Sequence, residues 1–285
     1  MSSKQKRPSA WVVNTSPATF PRDVLERSRS VPVVVDFWAT WCAPCRTLGP
    51  VLESLADEYG GRFVLVKADI DRMPEVAAEF NVQAVPMVFA LVGGEVADYF
   101  AGALPPPQIR AWLDRLLVRG DLAAAARLEA GQPADAEATY RRIVEQQPNE
   151  AAAQIGLARV LLAQERVDDA RAVIDRLEQR GFLEPEAEQI KAALAFRNRA
   201  GMDVEARRRA AEAEPDNLQR QWELAEALAG EQRHQEALQI CLSLVERDRH
   251  GVGETARQLM LDIFRVLPAD SELVREYRRQ LSTAL

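Results

Sequence analysis

Two cysteines separated by two residues, Cys42 and Cys45, close the run Asp36-Phe-Trp-Ala-Thr-Trp-Cys-Ala-Pro-Cys45. A thiolate attacks a disulfide, and a second thiol one helical turn away can then attack the mixed disulfide so formed. A cysteine in the first turn of a helix meets unpaired backbone N–H groups and the positive end of the helix dipole, which favour thiolate over thiol. The spacing therefore predicts Cys42 as nucleophile at a helix start and Cys45, on the same helical face, as resolving thiol. Pro44 fits that first turn, where its missing N–H costs nothing. The competing reading is half of a zinc site, but the sequence offers no second Cys/His pair to complete one. No metal and no cofactor is expected.

Asp36 stands six residues before Cys42 and interrupts the apolar run Val31 to Phe37. A carboxylate buried there is costly as an anion, so its pKa should rise and it could exchange a proton with a nearby thiol. The plainer reading is a strand-end aspartate facing water. Lys67, in the next strand, could lie beside Asp36 and modulate it, or be an ordinary surface lysine.

The elements that must hold these groups occupy residues 10–118, where strand-like and helix-like segments alternate. Val31 to Phe37 reads as a strand buried on both faces. Leu48, Val51, Leu52, Leu55 and Ala56 recur at helical spacing after the cysteines. Phe63 to Lys67 reads as a strand, Pro74 to Phe80 as a short helix, and Met87 to Val92 as a strand. Gly93-Gly94 turns that strand into Glu95 to Phe100, and Pro105 to Val118 closes the domain as an amphipathic helix. The expectation is an α/β layer fold.

From Gly120 to residue 285 strand signals stop. Ala136, Ala170 and Ala237 are separated by 34 and 67 residues, one and nearly two periods of a 34-residue unit. Four residues after each come Tyr140, Ile174 and Cys241; seven after each come Ile143, Leu177 and Leu244. Pro148 and Pro215 each precede the next such alanine by 22 residues, and Leu157-Ala158 and Leu224-Ala225 follow them at equal offsets. This spacing resembles tetratricopeptide repeats, in which small residues let two antiparallel helices approach closely and neighbouring pairs stack into a solenoid. The stretch from Leu183 to Pro215 fits less well, with Gly201 breaking it. A generic helical bundle is the alternative. Cys241 falls in the core slot of the pattern, His234 and His250 in surface or loop context, and Ser271 to Leu285 forms a capping helix.

A net charge of −7 and the lack of a basic stripe argue against nucleic acid as partner. Lys4, Lys6 and Arg7 are followed by no apolar stretch, so neither a signal peptide nor a membrane span is expected, and the three cysteines build no disulfide framework. The cytoplasm is the expected compartment.

The run from Val33 to Pro50 resembles thioredoxin: an Asp-Phe-Trp-Ala strand, then Trp-Cys-x-Pro-Cys, then a proline five residues later. Val85-Pro86-Met87 is similar to the thioredoxin element whose proline is cis and faces the cysteines, and Gly102 matches the glycine near the peptide groove. The resemblance implies that Trp41, Pro44, Val85 and Gly102 contact substrate, that Pro86 belongs to the catalytic set, and that an incoming peptide pairs beside Pro86 as an added strand. Ala43 and Met87 depart from the usual glycine and threonine. The second half resembles tetratricopeptide repeats. Together the halves resemble the chaperedoxins (YbbN/CnoX type), an α/β thioredoxin fold followed by an all-α tetratricopeptide-like solenoid. That resemblance implies a thiol-disulfide oxidoreductase that is also a holdase for unfolded or oxidised client proteins. It further implies handover to the chaperonin or the Hsp70 system, and recycling by thioredoxin reductase is a further partner to consider. The alternatives are a plain disulfide reductase whose repeats dock it to one partner, and a scaffold with a vestigial redox pair.

Overall fold

The structure is a computed structural model and describes residues 9–199, 201–268 and 270–284. Lys4, Lys6, Arg7 and Leu285, used in the readings above, lie outside them.

Five strands form one mixed sheet: β1 (Val12–Asn14), β2 (Val33–Trp38), β3 (Val64–Asp69), β4 (Met87–Val92) and β5 (Glu95–Ala101), in the order β1-β3-β2-β4-β5. β1 and β2 flank β3 in parallel, while β4 runs antiparallel to β2 and β5 to β4. The central strand β2 is covered on both faces, which is why its sequence reads as a near-continuous apolar run. Val34 joins Leu65, Val88 and Ala90 under helices α1 (Cys45–Glu58) and α3 (Pro106–Leu128). Val33, Val35 and Phe37 face the other way, toward α2 (Pro74–Glu79) and the helical turns Pro21–Arg29. There Phe20, Phe37, Phe80 and Phe89 meet with ring centroids 5.2 to 6.4 Å apart. Gly93 and Gly94 adopt φ of +69° and +95°, a backbone that the tight β4–β5 turn requires and that side chains disfavour.

The closing helix was expected to stop at Val118; it runs on to Leu128. No proline interrupts it after its first turn, and Gly120 is held inside it by close packing: a Cβ there would come within 2.5 Å of Pro32 Cγ. α4 (Pro133–Gln146) returns along α3 and buries Ala136, Tyr140 and Ile143, with Tyr140 Oη donating to Glu129 Oε1 at 2.6 Å. The chain divides by contacts into Met1–Gln146 and Gln147–Leu285. The change in composition at Gly120 thus falls within one continuous helix of the first compact unit.

The second unit holds α5 (Ala151–Ala163), α6 (Val167–Glu178), α7 (Pro185–Arg199), α8 (Val204–Ala213), α9 (Leu218–Gly230), α10 (His234–Arg247), α11 (Val252–Val266) and α12 (Glu272–Ala284). α5 packs on α6, α9 on α10, and α10 on α11. Ala170 and Ala237, with Ile174, Cys241, Leu177 and Leu244 after them, are fully or almost fully buried. Glu165 and Gln232, again 67 residues apart, both take positive φ where one helix turns into the next. Asn217 and Asp203 cap the helices that follow them through side-chain acceptors. The less regular stretch is helical too, α7 lying against α6, α9 and α11, and α8 against α9. Among the described residues no helix is long and apolar enough to cross a membrane.

Candidate active site

The site forms where β2 ends and α1 begins. Cys42 and Cys45 are joined as a disulfide with Cα atoms 5.4 Å apart. Cys42 was expected in the first helical turn. Instead α1 starts at Cys45 with Pro44 as its N-cap residue, and Cys42 lies in the turn just ahead. The reason is local: the peptide N–H groups of Arg46, Thr47 and Leu48 already find carbonyls of Ala43 and Pro44. The leading helix donor is Cys45 N–H, and it points at Cys42 Sγ, 3.2 Å away. The sulfur therefore receives a helix-start hydrogen bond while sitting outside the helix.

Both sulfurs lie under a rim. Cys42 and Cys45 are 3% and 6% exposed, whereas Trp41 is 65% exposed and Ala43 and Pro44 are also exposed. Trp41 Nε1 donates to Asp71 Oδ1 at 3.2 Å, which fixes the indole beside the pair. Trp38, Ala39, Ile70 and Val85 close the apolar floor. The Val85–Pro86 peptide bond is cis, Pro86 is buried, and its carbonyl accepts the Gly102 N–H at 2.8 Å. Gly102 has φ of +82°, a conformation a larger residue would strain. Trp41, Pro44, Val85, Pro86 and Gly102 therefore stand in the same unit as the disulfide.

Asp36 is 1% exposed, on the α1 face of β2, and its Oδ1 has no hydrogen-bond partner. Burial pushes its pKa up to about 6; the Lys67 cation pulls it down, and the Glu53 anion adds to the rise. In the parallel register Asp36 sits directly opposite Lys67, and same-face neighbours on adjacent strands lie side by side. The Lys67 ammonium, however, reaches Glu53 Oε1 at 2.7 Å, and it lies 5.3 Å from the centre of the Trp38 ring. A cleft of about 400 Å³ connects these groups, lined by Asp36, Trp38, Cys45, Gly49, Glu53 and Lys67.

Glu53 was not singled out from the sequence. Its signal was the spacing Cys45, Gly49, Glu53, four residues apart on one face of a helix, so that whatever lies under Cys45 also faces residue 53. Pro50 lies inside this helix.

Elsewhere, Cys241 is fully buried and desolvation pushes its thiol up to about 12. His250 is exposed, as expected, but His234 is not a surface residue. It opens α10 half-buried, edge-on to Phe196 with ring centroids 5.8 Å apart, and burial lowers its pKa.

A mixed sheet with this strand order, a Cys-x-x-Cys disulfide at the head of its first long helix and a cis-proline in the same unit define a thioredoxin-fold thiol-disulfide oxidoreductase, here joined to tetratricopeptide repeats. Residues 11–115 match the thioredoxin family model, and residues 127–194 and 197–285 each match a tetratricopeptide repeat model. The chain is 40% identical over 107 residues to thioredoxin C-2 of Corynebacterium nephridii, covering 97% of that protein and 38% of this one. It is 43% identical over 88 residues to thioredoxin 1 of Chlorobaculum tepidum, covering 87% of that protein and 31% of this chain. To the chloroplastic M-type thioredoxin of Chlamydomonas reinhardtii it is 39% identical over 111 residues, 76% of that protein and 39% of this chain. The chain belongs to the thioredoxin family, and its helical repeats are an addition to the length those relatives share with it.

Proposed function

We propose that the protein is a chaperedoxin-type oxidoreductase, in which the dithiol of residues 10–118 reduces or protects client cysteines and the repeats of residues 120–285 hold the non-native client. The observation that carries this is the conjunction, on one chain, of the Cys42–Cys45 pair and a stack of repeats of a kind that binds other proteins.

In the reduced protein Cys42 thiolate, stabilised by the Cys45 N–H, attacks one sulfur of a client disulfide. A Cys42–client bond forms, the client S–S bond breaks, and the first client sulfur leaves as thiolate and takes a proton from water. Asp36 carboxylate then accepts the Cys45 proton through the cleft. The Cys45 thiolate attacks Cys42 Sγ, closing the disulfide and releasing the second client thiolate. The client gains two electrons and the pair loses two. Pro86 and Val85 offer the backbone along which the client segment pairs, Gly102 leaves it room, and Trp41 and Pro44 form the contact rim. Lys67 modulates Asp36. Recycling falls to a dithiol donor such as thioredoxin reductase, and release to the chaperonin or the Hsp70 system, in the cytoplasm.

Replacing Cys45 with alanine should freeze Cys42–client disulfides that mass spectrometry can identify, and Cys42→Ser should abolish both these adducts and insulin reduction. Suppression of aggregation of a thermally unfolding client should survive Cys42→Ser. Reduction without any such suppression would leave the plainer reading, a reductase docked by its repeats.

A further inference from the structure

We infer that Glu53 is a positioning residue for the buried acid: by engaging the Lys67 ammonium it keeps that cation from pairing with Asp36, so that Asp36 retains enough proton affinity to take the Cys45 proton. The inference rests on Asp36 being that acceptor.

Asp36 and Lys67 occupy opposed positions of β2 and β3, so a lysine of ordinary reach could pair with the carboxylate. Among the described residues no Asp36–Lys67 ion pair forms within 4.0 Å; the ammonium lies instead 2.7 Å from Glu53 Oε1, and Asp36 Oδ1 is left without a partner. A buried aspartate in a close lysine pair would be held ionised and would be a weak base. With the cation drawn to the cleft mouth, where Lys67 and Glu53 side chains are 20% and 34% exposed, its pull on Asp36 is partly cancelled by the anion beside it.

The other charged groups facing Asp36 are few. From α1 the cleft receives Cys45, Arg46 and Glu53, with the Arg46 Nη1 donating to the carbonyl of Thr40, which also lines it. From β3 it receives Lys67, and β4 sets only Val88 opposite Asp36. Glu53 is the one anion among these and the ammonium's hydrogen-bonded partner, with the Trp38 ring face 5.3 Å away as a weaker, uncharged attraction.

The test uses the full-length reduced chain carrying carboxyl-labelled aspartate, whose Asp36 titration is followed by carbon NMR, together with the pH dependence of resolution of a Cys42–peptide disulfide. Glu53→Gln should lower the Asp36 proton affinity about threefold or more and move the resolution profile to lower pH by the same amount. Glu53→Asp, which keeps the anion, should leave the Asp36 midpoint close to that of the unsubstituted chain. Lys67→Met should raise the affinity, and in its background Glu53→Gln should have less than half its effect. A Glu53→Gln chain that melts earlier with an unmoved Asp36 midpoint, or a shift that persists in full without Lys67, overturns the inference. Lys67→Met decides alone if Glu53→Gln does not fold: an unmoved midpoint overturns it. Failure of the underlying role of Asp36 looks different, since Asp36→Asn would then leave the resolution profile unchanged.

Discussion

Asp36 shows at the scale of one residue how a fold can spend stability to hold a carboxyl group out of water. Its pKa is about 6 in the folded chain against 3.8 for an ordinary aspartate, and desolvation is the first cause. A group whose folded pKa lies above its unfolded one favours folding while both states are protonated, below about pH 4, and loses that advantage as pH rises through 6. At pH 8 the buried anion opposes folding. Asp36→Asn keeps the shape of the protonated acid and should stabilise the protein at pH 8 by up to about 3 kcal/mol, the energy of that shift. The gain should vanish near pH 3.5, as thermal melts at the two pH values will show. The same variant should slow resolution of a mixed disulfide at pH 7 by roughly tenfold to a hundredfold. A gain independent of pH would mean that repacking, not charge, is responsible. The burial of Asp36 was legible because a charge inside an apolar run is conspicuous. Glu53 was not, because a glutamate on an exposed-looking helix position becomes informative only when the strand beneath supplies Lys67.

At the scale of elements, what was legible depended on the period of each pattern. The repeats could be found because small residues recur where two helices touch, and Ala136, Ala170 and Ala237 are all fully buried. Strand β2 and the β4–β5 hairpin could be found from a continuous apolar run and a double glycine. By contrast β1 is three residues long, too short to show alternation, and the turns Pro21–Arg29 carry no helical period. The position of Cys42 outside α1 was illegible for another reason: helix starts are set by which N–H groups find carbonyls, and that is decided by the turn rather than by residue types. Packing at the repeat contacts yields a direct expectation. Ala237→Leu forces three extra carbons into the buried face of α10 and should cost about 1 to 3 kcal/mol, while Gln239→Leu on the exposed side of α10 should cost little. Urea denaturation followed by helical circular dichroism would compare them; equal costs would mean that the pattern does not mark a close contact. Gly230→Ala should also destabilise, since its Cβ would fall 2.5 Å from the Arg199 carbonyl oxygen.

At the scale of the whole molecule, the first compact unit carries an apolar cluster on each face of its sheet, and the second carries one built on the helices from α7 to α12. A perturbation confined to one core should therefore be read by that unit. The chain supplies its own probes. Cys241 is fully buried in the helical core with its thiol pushed up to about 12, so once Cys42 and Cys45 are joined it is the remaining thiol and reacts only when that core opens. Trp11, Trp38, Trp41 and Trp112, four of the five tryptophans, belong to the sheet unit. With the pair oxidised at pH 8, Asp36→Asn should move the fluorescence transition to higher denaturant. The denaturant at which maleimide labels Cys241 should stay where it is. If both midpoints moved together, the two units would unfold as one, and any protein bound to the repeats would then bear directly on the stability of the dithiol site.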